Sequence, residues 1–348
     1  MKIKTMQAAI LLEQCKPLVV EEVELPKELK FGQVLVKVHC SGICGSQLGE
    51  IDGVKGEDHF LPHLLGHEGS GTVLNIGPGV KHVKPEDKVV LHWRKGLGNE
   101  SDPPSYQWKG EKLNAGWVTT FNEYAIVSGN RCTSIPHDSD LDVAALLGCA
   151  VTTGFGVVKN NAKIQIGESV VVFGAGGIGL SIIQAAALIS AHPIVAVDQY
   201  DNRLELAFQM GASHIINSRN ENSRNKIVEI VGQNDLDVFI DNTGQPRIIE
   251  MGYQITKPQG RVILVGVPHK DNNISIYSLP LHFGKYLSGS HGGEAVPQKD
   301  IPRYLKLYNA GKLALKELVT ETYTLDQINE AIADMKSGKI RGRCLIQL

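Results

Sequence analysis

Two patterns of hydrophobic and polar residues divide the chain. Up to about residue 150, short alternating segments such as 34–38 and 89–92 are separated by glycine and proline, which is typical of strands and turns. From about residue 151, apolar strand-like runs alternate with helical stretches, at 170–173, 194–197, 238–240 and 262–265. Such alternation predicts an α/β fold with a doubly wound parallel sheet.

The C-terminal part changes pattern again after about residue 291. It contains two amphipathic helical stretches, 301–310 and 325–336, and a last strand near 344–348. The second helix opens with Thr324 and Gln327 at the spacing of a capping box. We therefore predict one domain made of residues 1–150 and 291–348, with a second domain of residues 151–290 inserted into it.

A glycine-rich turn follows the strand-like run 170–173. Gly174, Gly176 and Gly179 have the spacing of a dinucleotide-binding loop, and we expect the next helix to begin at Gly177 with its free N–H groups facing a pyrophosphate. Asp198 ends the next apolar run, 19 positions past Gly179, where a carboxylate binds ribose hydroxyls and repels a 2′-phosphate. The pattern favours NAD over NADP.

Composition narrows the class of protein. With 348 residues, two domains are the default, and 35 basic and 37 acidic side chains, well mixed, leave no basic stripe for nucleic acid or anionic lipid. No apolar run is long enough for a membrane helix, and no secretory signal is evident. We expect a cytoplasmic protein whose partners are small molecules. Six scattered cysteines fit a reducing compartment better than a disulfide framework.

Three residues stand beside glycine in settings that suit a metal ligand: Cys44, His67 and Cys149. The strings GICGS, LGHEGSG, GCAVTTG, VVVFGAGGIGL and VAVDQYDNRLELA contain them and the glycine loop. In this order and at these spacings, the strings resemble the zinc-dependent medium-chain alcohol dehydrogenases over nearly the whole chain. The resemblance implies a GroES-like, mainly β catalytic domain and a Rossmann NAD-binding domain.

The resemblance also implies a reaction, the transfer of a hydride between an alcohol and NAD. Cys44, His67 and Cys149 would hold one catalytic zinc per chain and leave a fourth position for the substrate, which binds as an alkoxide. Ser46 would be the first acceptor of the alcohol proton. Glu68 matches a glutamate close to the metal, as a transient or outer ligand, or it is a buried, paired carboxylate.

Further residues receive roles by resemblance. Thr153 and Ile178 would flank the nicotinamide, Arg203 would lie near the adenosine ribose, and Arg341 would approach the pyrophosphate, although either arginine can be an ordinary surface charge. Trp93 would line the substrate pocket, or it is a core aromatic residue. His92 and Arg94 beside it suggest a polar, polyol-like or sugar-like alcohol.

The sequence departs from the family pattern in three places. Gln47 stands where an aspartate usually accepts a hydrogen bond from the ligating histidine, so we expect weaker zinc binding, which Gln47→Asp would strengthen. Gly49 replaces a histidine of the proton relay, which must end through ribose and water, His59 or His63. The segment 93–117 has no cysteine, so no structural zinc is expected.

Two alternatives remain open. One is a zinc-free NAD(P)H-dependent reductase of the same superfamily, and the other is a non-catalytic NAD-binding protein. By resemblance, residues 273–277 and the segment toward Gly289 form the sheet edge at which two chains pair, as a homodimer or a homotetramer.

Overall fold

The computed structural model describes residues 3–348, which form two compact units. The first unit comprises the chain up to Cys149 together with Val296–Leu348, and the second comprises Ala150–Ala295.

Eighteen strands occur in the described part of the chain. In chain order they are β1 Thr5–Leu11, β2 Val19–Glu24, β3 Gln33–Gly42, β4 His63–Leu64, β5 Glu68–Ile76, β6 Lys88–His92, β7 Tyr106–Trp108, β8 Glu111–Leu113, β9 Tyr124–Ser128, β10 Cys132–Ser134, β11 Val170–Phe173, β12 Ile194–Asp198, β13 His214–Asn217, β14 Leu236–Asp241, β15 Thr256–Leu264, β16 Tyr286–Gly289, β17 Val319–Thr324 and β18 Arg343–Gln347.

Nine α-helices lie between these strands in residues 3–348. They are α1 Gly45–Ile51, α2 Leu141–Ala145, α3 Ala150–Gly156, α4 Gly177–Leu188, α5 Asp201–Gln209, α6 Ser223–Val231, α7 Pro246–Ile255, α8 Pro297–Asn309 and α9 Ile328–Ser337. A π-helical turn, Val157–Asn161, continues α3, and a 3-10 turn, Leu146–Gly148, precedes Cys149.

The first unit is built on two sheets. One has the order β4-β1-β2-β7-β8, and the other has the order β10-β6-β5-β3-β18-β17, with β9 also paired to β3. Strand β3 is central because it pairs with β5, β9 and β18, and its alternate valines Val34, Val36 and Val38 are buried in one core. The end of β3 leads directly to Cys44, so this well-packed strand fixes the position of that residue.

The last helix and strand complete the first unit. The Gln327 side chain accepts a hydrogen bond from the Thr324 backbone N–H at 3.1 Å, which is the predicted capping interaction. Leu325, Ile328 and Ile332 face a core that also receives Cys344 and Ile346 of β18. Periodicity of the apolar positions was sufficient to predict this face.

The second unit is a six-stranded parallel sheet of order β13-β12-β11-β14-β15-β16. This is the doubly wound order 3-2-1-4-5-6 of dinucleotide-binding folds. The core strands are almost fully buried, as expected where helices cover both faces of a parallel sheet.

One predicted strand is absent. Residues 273–277 form no strand, whereas the predicted segment toward Gly289 does contain the edge strand of the sheet, β16. The Glu250 carboxylate accepts a hydrogen bond from the Ser275 backbone N–H at 2.7 Å, and the Tyr253 hydroxyl donates to the Tyr277 carbonyl at 2.9 Å. The prediction was wrong because side chains of α7, which no local pattern reveals, take the backbone groups that a strand ladder needs.

Within residues 3–348, no single helix is both long and apolar enough to cross a membrane. The short helical segments Leu141–Gly148 and Ala150–Asn161 reach that length only as a bent pair, and most of their residues are buried.

Candidate active site

Cys44, His67 and Cys149 come together in the first unit. Their potential ligand atoms all lie within 4.8 Å of one another, and both cysteines are buried. Cys44 ends the extended chain of β3 at the start of α1, His67 lies in the turn between β4 and β5, and Cys149 follows the 3-10 turn after α2. Three separate elements therefore converge on one point.

Two glycines allow that convergence. Gly66 has a positive φ of 93°, and a side chain there would approach the Thr120 backbone nitrogen to 2.6 Å. At Gly148, a Cβ atom would collide with the Leu91 carbonyl oxygen. The absence of a side chain at each position lets His67 and Cys149 approach the sheet closely.

The electrostatics of the cluster favour a thiolate. A hydrogen bond from the Cys149 thiol, at 3.9 Å between the sulfur atoms, lowers the pKa of Cys44 well below its usual value. The effect outweighs burial, and the His67 imidazole and the Arg343 guanidinium act in the same direction. A thiolate is the form of cysteine that binds metals.

The donor set fits a zinc ion. Two sulfurs and one imidazole form a known three-residue set for catalytic zinc. In addition, the Nε2 atom of His67 is buried and has no hydrogen-bond partner among the described residues. A buried polar atom without a partner is costly in a folded protein, and a metal ion would satisfy it.

Glu68 and Arg343 form an ion pair directly beside this cluster. Both side chains are buried, with 0% and 4% of their surface exposed. Gly42 leaves room for them, since a Cβ atom there would lie 2.8 Å from a carboxylate oxygen of Glu68. Of the two alternatives for Glu68, the structure contains the paired carboxylate.

The sequence patterns predicted a role for Arg341 and none for Arg343. Arg341 is exposed, whereas Arg343 is the first residue of β18 and points into the core. The available signal was an arginine at the head of the apolar run CLI, because an arginine is almost never buried without a partner. Nothing in the local pattern identified Glu68 as that partner.

Ser46 and Gln47 lie in the first turn of α1. Ser46 is half-buried, while Gln47 is buried and its side-chain oxygen accepts a hydrogen bond from the Cys44 backbone N–H at 3.3 Å. No hydrogen bond joins Gln47 to His67 within the described chain. Gln47 therefore caps the helix and holds the Cys44 backbone.

Trp93 lies against His67, with 6.4 Å between the ring centroids and a tilt of 57°. The Arg94 guanidinium lies over the indole at 5.7 Å from its centroid. Trp93 also contacts the core of the first unit at one edge, so it has features of both predicted roles.

The second unit holds the predicted nucleotide-binding residues except Arg341, which belongs to the first unit. Helix α4 begins at Gly177, as predicted, after Gly174 with a positive φ of 97°. Gly179 packs so closely that a Cβ atom would collide with the Gly174 carbonyl oxygen. Ile178 is in the first turn of α4. A Cβ atom at Gly176 would meet no other atom within 4 Å, so the backbone of the loop is accessible to a ligand there.

Asp198 is buried at the end of β12, and its carboxylate organises the loop. It accepts hydrogen bonds from the backbone N–H groups of Ala175, Gln199 and Tyr200 at 2.8, 2.8 and 3.1 Å. Arg203 lies over the ring of Tyr200 at 4.9 Å. Thr153 is buried within α3.

Comparisons with known proteins agree with this geometry. Residues 30–137 match the alcohol dehydrogenase GroES-like domain, and residues 177–310 match the zinc-binding dehydrogenase domain. The chain is 31% identical to S-(hydroxymethyl)glutathione dehydrogenase of Paracoccus denitrificans, over 96% of this chain and 97% of that protein. It is also 31% identical to the NDMA-dependent alcohol dehydrogenase of Amycolatopsis methanolica, over 97% of each chain. Among solved structures, benzyl alcohol dehydrogenase of Acinetobacter calcoaceticus aligns with a TM-score of 0.89 and 29% identity, over 99% of this chain and 100% of that one.

The chain belongs to the zinc-type medium-chain alcohol dehydrogenase family, an α/β family with a GroES-like domain and a parallel-sheet domain. Members of this family use zinc and NAD(H). The protein is thus an oxidoreductase that acts on small-molecule alcohols.

Proposed function

We propose that this chain is a NAD-dependent alcohol dehydrogenase in which Cys44, His67 and Cys149 hold one catalytic zinc per chain. The observation that carries the proposal is the convergence of three donor atoms within 4.8 Å, in surroundings that favour a thiolate at Cys44. When bound, zinc supplies a Lewis acid that polarises the oxygen of the substrate. NAD supplies the hydride acceptor.

Ser46 is the residue that takes the proton of the alcohol. Its place two residues beyond Cys44, in the first turn of α1, brings a hydroxyl close to the metal-ligating residues. Within residues 3–348, no hydrogen bond engages this half-buried hydroxyl, so it is available to a ligand. Among later steps of the relay, His63 is disfavoured because its ring nitrogens already contact Asp58 at 2.7 Å and the Leu64 carbonyl at 3.0 Å. We favour the exposed His59, or ribose and water.

NAD is bound by the second unit. Gly174, Gly176 and Gly179 let the backbone approach the pyrophosphate, the free N–H groups at the start of α4 face it, and Asp198 holds the loop and binds ribose. Arg203, oriented on Tyr200, contacts the adenosine side. Thr153 and Ile178 flank the nicotinamide ring.

We infer a polar alcohol as substrate from Trp93 and Arg94. The indole beside His67 narrows the space next to the ligand cluster, and the guanidinium stacked on it offers donors to a hydroxyl or carboxylate. A substrate screen with NAD would include benzyl alcohol, 2,3-butanediol, S-(hydroxymethyl)glutathione and a sugar alcohol. Related enzymes are named after the first three compounds. Faster turnover of a simple apolar alcohol than of every polar one would contradict the inference.

Ser46→Ala tests the proton transfer. General acid–base groups contribute roughly 10²–10⁴-fold to rate, so we expect kcat for alcohol oxidation to fall by at least about a hundredfold while the Kd for NAD stays unchanged. Ser46→Thr, which keeps a hydroxyl, is the matched control and retains activity. Near-normal turnover by Ser46→Ala would remove this role.

The rival functions predict different results when enzyme rates are measured before and after treatment with a chelator. A zinc-free reductase would keep its rate of NAD(P)H-dependent reduction after chelation. A non-catalytic NAD-binding protein would bind NAD but oxidise no alcohol. The clustered ligand residues argue against both.

For assembly, we propose a homodimer or homotetramer formed through the β16 edge of the second unit. Tyr286 of this strand is 48% exposed, and the segment before it exposes Tyr277 at 71% and Phe283 at 69%. Exposed apolar patches of this kind mark interaction sites. We also propose a cytoplasmic location, since six free cysteines fit a reducing compartment better than an oxidising one. Light scattering of wild type and Phe283→Ser tests the interface.

A further inference from the structure

A second cluster of metal-binding side chains lies on the first unit, apart from Cys44, His67 and Cys149. It consists of His39 and Cys40 of β3 and Asp142 of α2, whose potential ligand atoms all lie within 4.8 Å of one another. The Nε2 atom of His39 is 3.1 Å from the Asp142 carboxylate, and these two side chains are each 46% exposed. Cys40 is buried beneath them.

An irregularity of β3 brings two consecutive residues into this cluster. Neighbouring side chains of a regular strand point to opposite faces. In β3, however, Val38 pairs with Gly71 and Cys40 pairs with Ser70, so His39 is an extra residue in the ladder. A bulge of this kind re-aims a side chain, and here both His39 and Cys40 approach Asp142.

The surroundings hold Asp142 in place and offer further oxygen atoms. The Gln347 amide donates to the Asp142 carboxylate at 2.9 Å, and the Asp142 backbone N–H donates to the Asp140 carboxylate at 3.0 Å. The Cys40 sulfur lies 3.5 Å from the Ser70 hydroxyl and 3.6 Å from the Leu141 carbonyl oxygen. The cluster is thus fixed by β18 and α2 as well as by β3.

We propose that His39, Cys40 and Asp142 form a second metal site that binds one zinc-like divalent cation. Imidazole, thiolate and carboxylate are all zinc ligands, and a tetrahedral zinc places its ligand atoms about 3.4 Å apart. The His39 Nε2 atom lies 3.1 Å from the Asp142 carboxylate, and the Cys40 sulfur lies within 4.8 Å of a ligand atom of each. Water fills the remaining position on the exposed side. The cation displaces the proton of the Cys40 thiol when it binds.

Occupation of this site would stiffen the segments that lead to the first cluster. Cys40 is four residues before Cys44, and Asp142 is seven residues before Cys149. A cation held by both segments ties β3 to α2. The expected effect is a higher melting temperature at added zinc, without a direct part in the reaction.

Equilibrium dialysis against Zn²⁺ tests the site in the whole protein, after dialysis that removes loosely held metal. We expect wild type to bind one zinc per chain in addition to the metal that it retained through dialysis. His39→Gln should weaken this additional binding by at least about tenfold, because even mutation of a residue that only hydrogen-bonds to a metal ligand lowers metal affinity by about that much. His137→Gln, another exposed histidine, is the matched control and leaves the binding unchanged.

A second readout uses Co²⁺ as the probe. Cys40→Ser should abolish the thiolate-to-cobalt absorption that wild type gains on titration with Co²⁺, and if this variant does not fold, the His39→Gln comparison still decides. No additional zinc in wild type, or equal binding by His39→Gln and His137→Gln, would overturn the proposal. Because both histidine variants keep Cys44, His67 and Cys149, their difference does not depend on the catalytic assignment.

Discussion

We predict that the first unit loses much of its stability when the buried ion pair between Glu68 and Arg343 is broken. In Arg343→Met, the fully buried Glu68 carboxylate loses its cation. Removal of one partner from a buried pair costs about 3–5 kcal/mol. For a unit of this size, each kcal/mol corresponds to about 2–4 °C in Tm, so we expect the melting of the first unit to fall by roughly 10 °C.

The control lies two residues away. Arg341→Met makes the same chemical change at an exposed position, where the effect is expected to stay within about 0.5 kcal/mol. Calorimetry on chelator-treated protein measures both variants without a contribution from bound zinc. The double variant Glu68→Gln with Arg343→Met should lose less free energy of unfolding than the two single variants lose together, because it leaves no unpaired buried charge. Equal Tm values for Arg343→Met and Arg341→Met, or strict additivity in the double variant, would refute the reasoning.

Three further predictions concern other parts of the molecule. Burial lowers the pKa of His92 to about 4, so only the unfolded state binds a proton there as the pH falls from 6.5 toward 4. We expect the free energy of unfolding to fall by up to about 3 kcal/mol in this window, and His92→Gln to show a flatter profile of Tm against pH. Gly148→Ala should lower Tm and zinc retention, because its Cβ atom would collide with the Leu91 carbonyl oxygen, at a cost of about 1–3 kcal/mol. Gly45→Ala, whose Cβ atom would meet no atom within 4 Å, should change neither, and equal effects of the two substitutions would contradict this explanation. Asp198→Ala removes the acceptor of three backbone N–H groups, so kcat/KM for NAD should fall at least about tenfold and more than in Asp198→Asn, while an unchanged value would contradict a role in the loop.

Local sequence signals predicted the parallel-sheet half of the fold well. The run 170–173 is β11 to the residue, and α4 begins at Gly177, because strand, turn and helix are encoded within a few neighbouring positions. The segment toward Gly289 was correctly predicted as the sheet edge, but residues 273–277 were wrongly included, because Glu250 and Tyr253 of α7 determine the backbone there.

The candidate site was only partly predictable for the same reason. Cys44, His67 and Cys149 carry local glycine signals, and the family strings supplied their grouping. Arg343 and its pairing with Glu68 depend on the antiparallel contacts of β3 with both β18 and β5, over a sequence separation that no local pattern spans. The bulge that lets both His39 and Cys40 approach Asp142 likewise exists only in the pairing of β3 with β5.

The central claim is that Cys44, His67 and Cys149 hold one zinc per chain. Elemental analysis of protein purified without chelators and dialysed to remove loosely held metal tests it most directly, with Cys149→Ser compared against Cys15→Ser, an exposed cysteine, as the control. We predict about one zinc per chain in wild type and Cys15→Ser, and almost none in Cys149→Ser. Zinc near zero in wild type, or equal zinc in the two serine variants, would contradict the account.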